Sequence, residues 1–511
     1  MAADLAPGVG LSRAVSARTE LRLGLAGLAG AGVLLTGLAA AYLTARSLGW
    51  PLVHDAPLMH YIAARILEGA VPYRDLFDMN LPGVYLVHVL ALGLFGRGDA
   101  AFRVLDLLVL AGAVTGLAAG LARFGRAAAA AGGALFWLYH LAGGAWRAGQ
   151  RDFILCLPLA WMTAAALADA ERPRRLVLGL AALGLGTAVW LKPHALLLLP
   201  VLAALAWRRP PGERSGALAT VALGLALPAG PVLAWLAWLG ALPAFADIVL
   251  GYLVPLYSRL GRESLVAAVR GHDLGPWVLG GLGLWALGGA LALAGRDRHD
   301  ARLAVLTAGV AYGALHYAVQ GKGWEYQLYP LALFAIALGA AGLAAAVAAG
   351  RRALAVLLLG ALALTTGSLT VKGLRNLAPA WIAAKQARVA AVVEALRPLV
   401  SAGGAVQVLD TTDGGIHALY LLGARQPTRF LYDFPFYHDV QHPYVRRLRA
   451  ELLAGVRARP PAAVVLFERG WPRGDYGRLR QFPELAAWLD GRYRLAVESE
   501  GFRLYAARRD P

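Results

Sequence analysis

The sequence predicts a membrane all-α protein, a polytopic helical bundle of about eleven transmembrane helices with a long first outer loop, followed by a small C-terminal extracytoplasmic α/β domain. Three observations lead there. Charged residues make up 16% of the 511-residue chain, against about 25% in soluble globular chains, and mean hydropathy is +0.56. Apolar runs such as 23–43, 217–239, 277–294 and 353–371 approach the roughly 20 residues that a bilayer core requires. Beyond about residue 375 the texture changes to short β-branched runs alternating with helical periodicity. The expected organisation is a cytoplasmic segment 1–22, a transmembrane domain 23–372 with residues 46–100 as its first outer loop, and an extracytoplasmic domain 373–511.

Arginine clusters orient the helices. Arg13, Arg18 and Arg22 place the N-terminus inside, and the run after them has no clear cleavage site, so it is a spanning helix rather than a cleaved signal. The second helix returns to Arg123 and Arg126, and the fourth to Arg172, Arg174 and Arg175. The fifth and sixth form a hairpin around Lys192 and Pro193 that ends at Arg208 and Arg209. The seventh exits at Gly240, and the eighth returns to Arg296 and Arg298. The ninth exits near Gln320, the tenth returns to Arg351 and Arg352, and the eleventh leaves the last domain outside. Every inner turn carries at least two arginines. The halves of the 176–207 hairpin are short, and one kinked helix there would invert everything downstream. The later inner clusters argue against that.

The expected location is the inner (cytoplasmic) membrane, multi-pass. The net charge of +18 is thus helix-orienting charge and implies no nucleic-acid partner. The single cysteine, Cys156, permits no intrachain disulfide. Only four of the 49 basic residues are lysines, namely Lys192, Lys322, Lys372 and Lys385, which makes each one noteworthy.

Ionisable residues near a bilayer are costly and often functional. Here they gather in four outer segments. The first holds His54, Asp55, His60, Arg65, Glu68, Arg74, Asp75, Asp78 and Asn80; the second holds Arg147, Gln150, Arg151 and Asp152. The third is Trp190-Leu191-Lys192-Pro193-His194, and the fourth runs from Gln320 through Lys322, Glu325 and Tyr326 to Gln327. Residues 56–69 have the pattern of a short amphipathic helix lying in the interface, ended by Gly69. Residues 81–95 form a second interfacial or re-entrant helix.

The ordered segments HDAPLMHYIAARILEGAVPYRDLFDMNLPGVYLVHVLALGLFG, QRDF, WLKPHALLLLP and GKGWEYQLYP, over residues 20–350, resemble the class C glycosyltransferases. The nearest branch resembles the bacterial relatives of protein O-mannosyltransferases and lipid A aminoarabinose transferases. The resemblance implies transfer of a sugar from a polyprenyl-phosphate-linked donor to a glycan, lipid or protein acceptor at the outer face, among membrane lipids. It places Asp55 where the family carries its acidic residue after the first helix, as the base that takes the acceptor's proton. The competing role for Asp55 is to cap the helix that follows it. Asp152 matches the acidic residue of the second outer loop, orienting the acceptor or a basic side chain such as Arg151, or capping its helix. Lys192 fits the basic residue beside the lipid phosphate, with Lys322 and Arg151 as further phosphate ligands. His54, Arg74, Asp78, His194, Glu325 and Tyr326 are the expected substrate contacts.

No cofactor is expected. The histidines His54, His60 and His194 have no compact metal-ligand spacing, and a divalent ion between Asp55 and Asp152 is the only metal arrangement the residues suggest. The glycines of GGLGLWALGG follow no strand and point to helix packing rather than a nucleotide loop. In the last domain, 405–410, 462–467, 493–499 and 502–508 are strand candidates and 381–396, 443–457 and 482–489 helix candidates. Asp410, Asp413, His417, Tyr432, Asp433 and His438 lie in its loops; they are read as turn and surface chemistry, with contact to the acceptor as the other reading. Two other functions stay open, a transporter or flippase of a lipid-linked glycan and a non-catalytic scaffold. The first would show internal repeats and midplane charge, and neither is present in the sequence.

Overall fold

The computed structural model describes residues 8–264, 266–267, 281–295, 297 and 299–508. The start of the predicted eighth helix and its return to Arg296 and Arg298 lie outside these. The rest of the chain is mostly helical. Seven helices are long and apolar enough to cross a membrane, and five shorter apolar helices accompany them, among the described residues. The chain divides into two compact units. The first comprises 1–49, 106–229 and 264–377; the second comprises 50–105, 230–263 and 378–511. Residues 378–511 share their unit with most of the first outer loop and with residues 230–263.

The first unit is built around the helix Tyr329–Ala348. Its apolar side chains continue round all faces, and nearly all of them are buried. Glycines set the closest crossings. A Cβ on Gly342 would lie 2.3 Å from Gly289 Cα, and one on Gly313 would lie 2.3 Å from Leu331 Cα. Gly288 and Gly289 belong to the glycine run, so that run is indeed helix packing. Gly342→Leu is expected to destabilise the unit by more than the usual 1–3 kcal/mol of overpacking, because the obstructing atoms are backbone. Thermal unfolding of the purified protein followed by tryptophan fluorescence measures it, and an unchanged midpoint would refute the packing.

The hairpin at 176–207 forms as predicted. Helices Arg175–Val189 and Pro211–Ala226 run parallel: Arg175 meets Gly216, Gly179 meets Thr220, and Gly186 meets Leu225. The segment between them must therefore return the chain. The arginine turns share one end of this unit. Arg209 Nη2 lies 2.6 Å from the buried Asp169, Arg302 and Arg123 both reach Glu171, and Arg351 donates to Ala292 O. Asp152 and Gln320 stand at the opposite ends of the same helices, Arg151–Glu171 and Ala301–Gln320.

The second unit contains a four-stranded sheet in the order β1(Val406–Leu409), β2(Ala463–Phe467), β4(Phe502–Ala507), β3(Tyr493–Ser499). β1 and β2 are parallel, and the other pairings are antiparallel. Helices Ala380–Ser401, Pro443–Ala458 and Pro483–Arg492 intervene at the predicted places. The amphipathic helix Ala56–Leu67 also forms, and Gly69 follows it at φ 92°. It is not laid against lipid alone: residues 56–65 are all buried, and Tyr61 Oη donates to Ala424 O. A bridge pairs Phe77 with Phe430, so the outer loop and the last domain make one hydrophobic core. Asp410 and Asp433, expected in turns and at the surface, are buried. Asp410 accepts from the amides of residues 412–415 and opens the helix Gly415–Leu422. Asp433 is gripped by Arg478 through Nε and Nη2 at 2.9 and 2.7 Å.

Candidate active site

The polar end of the first unit gathers three of the four predicted outer segments. Gly144 and Gly149, at φ 79° and 62°, turn the chain into the helix Arg151–Glu171, which carries Asp152 in its first turn. Asp152 is fully buried. Its Oδ2 lies 3.1 Å from Lys192 Nζ, and its Oδ1 lies 2.6 Å from His316 Nε2. Gln320 ties the group together. Its Nε2 donates to Asp152 Oδ1 at 3.3 Å, while its Oε1 accepts from Lys192 Nζ at 2.6 Å and from Gln327 Nε2 at 3.0 Å. Lys192 sits on extended backbone just before Pro193, where the helix has broken, and this aims its side chain inward. His194 meets His316 edge to face at 5.5 Å.

A second group stands beside it. Arg147 is buried between the rings of Tyr139 and Tyr329, 4.7 and 4.5 Å from their centroids. Its Nη1 lies 3.4 Å from Glu325 Oε1, which also pairs with Lys372. Arg151 Nη2 donates to Tyr326 Oη at 3.4 Å, and Lys322 is buried in the same loop. Below them, His140 bridges Asp106 Oδ2 at 3.0 Å and Tyr329 Oη at 2.8 Å. Asp152 thus pairs with a basic side chain, Lys192, which is one of its expected roles beside orienting the acceptor or capping its helix. The segments carry more cations than carboxylates, which suits an oxyanion or phosphate.

His316, Asp106, His140 and Lys372 were not among the predicted site residues. Asp106 and His140 are ionisable groups inside apolar helices, which is itself a signal of function. His316 stands four residues before Gln320, hence on the same helical face.

The predicted residues of the first outer loop lie in the second unit. Asp55 Oδ1 is 3.1 Å from His54 Nδ1, and His54 is held at φ 61°. Asp55 has helical backbone (φ −80°, ψ −23°), and its side chain makes no cap hydrogen bond. In the same unit Lys385 is buried with Nζ on Thr412 O, and His417 lines a small cavity with His54 and Lys385. Burial, helped by the Lys385 charge, pulls the His417 imidazole down to about 4, so it is neutral at pH 7. Asp78 is buried and accepts from Met79 N, Asn80 Nδ2 and Tyr85 Oη, which uses its carboxylate to hold the loop. Arg74 is exposed and paired with Asp75 at 2.9 Å. Among the described residues, no group of three or more histidine, cysteine or acidic side chains is placed to hold a metal ion.

Neither a protein-family model nor a curated protein sequence matches the chain. Solved structures do. The chain is similar to ArnT from Cupriavidus metallidurans bound to undecaprenyl phosphate, with 15% identity, a TM-score of 0.60, and coverage of 93% of this chain and 97% of that one. It is similar to the archaeal oligosaccharyltransferase AglB from Archaeoglobus fulgidus, in complex with an inhibitory peptide and a dolichol-phosphate: 13% identity, TM-score 0.50, 94% of this chain and 74% of that one. The arabinofuranosyltransferase AftD from Mycobacteria matches at 16% identity and TM-score 0.50, over 96% of this chain and 42% of its own. The chain therefore has the class C glycosyltransferase fold, expected from the resemblance, and is a multi-pass membrane protein.

Proposed function

We propose that this chain moves a sugar from a polyprenyl-phosphate-linked donor to a lipid, glycan or protein acceptor at the outer face of the cytoplasmic membrane. The observation that carries the reading is the Asp152–Lys192–Gln320–His316 network, set in a fold shared with a protein solved with undecaprenyl phosphate. A lysine on a break between helices, oriented by a buried carboxylate, is suited to a lipid phosphate and to the charge that develops as it leaves. Lys322 and Arg151 join it there, with His194, Glu325 and Tyr326 as further substrate contacts. Asp55 is the base. The decisive assay is sugar release from a lipid-linked donor by purified protein, together with mass spectrometry of cell-surface glycans and lipids with and without the gene product.

In this reading the N-terminus is cytoplasmic, and Asp55, Asp152, Lys322 and the last domain face outward. Single cysteines in a Cys156→Ala background test it. A cysteine beyond residue 400 is expected to react with an impermeant thiol reagent in intact spheroplasts, and one at Ser215 to be protected. The reverse pattern would overturn the topology.

A further inference from the structure

The second unit contains a polar cleft of about 450 Å³, within the size range of small-ligand sites. Its walls are the helix Ala56–Leu67 with the turn after it, residues 425–431, and the helix Pro443–Ala458. The arginines in these walls are not equally compensated. Arg429 grips Glu451 through Nε and Nη2 at 2.6 and 2.9 Å, and Arg74 pairs with Asp75, so these two pairs are neutral. Glu68, by contrast, is shared by Arg65, Arg97 and Arg425. Burial raises the Glu68 carboxyl, but Arg65, Arg425 and Arg97 together outweigh it and hold the group below its ordinary range. Glu68 is therefore a full negative charge facing three positive ones at neutral pH. Arg459 also lines the cleft and donates to a carbonyl, Pro427 O, rather than to a carboxylate.

A second observation is independent of the charge count. Arg65 is 6% exposed, and its Nε and Nη1 are enclosed without an acceptor among the described residues. Enclosed guanidinium donors without acceptors, beside a cleft with surplus positive charge, call for an oxyanion. The planar fork of arginine matches carboxylate and phosphate in two-point contacts. Gly69 and Gly455 keep parts of the walls free of side chain, which leaves room for a ring as well as its charged group.

We propose that this cleft binds an anionic saccharide, a sugar unit bearing a phosphate or carboxylate.

The test uses the full-length protein in nanodiscs of neutral lipid, titrated calorimetrically with glucose 1-phosphate, a glucuronate-containing disaccharide, maltose and inorganic phosphate. The two anionic sugars are expected to bind, with affinity falling as salt rises. Maltose and inorganic phosphate are expected to bind at least about tenfold more weakly. Arg425→Glu and Arg65→Gln are each expected to weaken the anionic sugars by about tenfold or more. The Arg425 side chain is 72% exposed, so its substitution is expected to leave the unfolding midpoint in place and guards against loss of fold as the cause. Maltose binding equal to the anionic sugars, inorganic phosphate binding as tightly as glucose 1-phosphate, no saccharide binding at all, or unchanged affinity in Arg425→Glu would each overturn the proposal. Polyprenyl-phosphate binding is measured in parallel. Lipid binding without saccharide binding overturns the cleft alone. Saccharide binding without lipid binding supports the cleft and counts against the transferase reading.

Discussion

Asp55→Asn is expected to lower turnover with a lipid-linked donor by about 10²–10⁴-fold, a barrier increase on the order of 3–5 kcal/mol. The amide matches the carboxylate in size but accepts no proton from an acceptor hydroxyl. The substitution is well separated from folding. The Asp55 side chain does not cap the helix Ala56–Leu67, so its loss removes no cap, and its near partner is the partly exposed His54. Abundance, unfolding midpoint and donor affinity are expected to stay at wild-type values. Asp75 and Asp78 are the controls. Asp75 is held below its ordinary range first by its hydrogen bonds with Arg74, which leaves it a poor base. Asp78 already accepts from two groups of its own loop and from Tyr85 of the helix that follows, so Asp78→Asn is expected to lower stability rather than turnover alone. Near-normal turnover by Asp55→Asn beside an inactive, folded Asp75→Asn would move the base to Asp75.

The second large effect concerns the Lys192 pair. Lys192→Ala is expected both to weaken donor binding and to destabilise the fold by about 3–5 kcal/mol, because it leaves the buried Asp152 carboxylate without its cation. The two losses separate in the double variant. Lys192→Ala with Asp152→Asn removes both charges, and His316 and Gln320 remain beside the amide. Stability is expected to recover most of the loss, a coupling that a double-mutant cycle reads directly. On the phosphate-binding role proposed for Lys192, donor affinity is not expected to recover, since a donor phosphate would still lack the ammonium. Lys192→Arg should be partly tolerated in stability and poorly in binding, because the planar guanidinium does not occupy the place of a compact ammonium. Equal loss of affinity for a phosphate-free lipid analogue would show that Lys192 acts on the fold alone. Recovery of donor affinity in the double variant would show the same.

Much of the architecture is a local property of the chain and was legible in it. Apolar length marks a spanning helix without reference to any neighbour. Arg209, Arg302 and Arg123 meet Asp169 and Glu171 at one end of the first unit. β1 and β2 were visible because full burial makes them continuous apolar runs, and β4 as a short alternating one, whereas β3 is exposed beyond Tyr493 and was visible only as the partner of β4 in a terminal strand pair. Asp152, Lys192, Glu325 and Tyr326 drew notice as polar residues between apolar helices, and the structure places all four at one end of one unit. Only the tertiary structure decided who partners whom. His316 is 164 residues from Asp152, and Lys372 is 47 from Glu325. No periodicity encodes such pairings, because they depend on which helices pack together. The amphipathic pattern of Ala56–Leu67 correctly announced a buried face, but a hydrophobic stripe is the same whether lipid or protein covers it. Here the last domain covers it, so the first outer loop belongs to that domain's core.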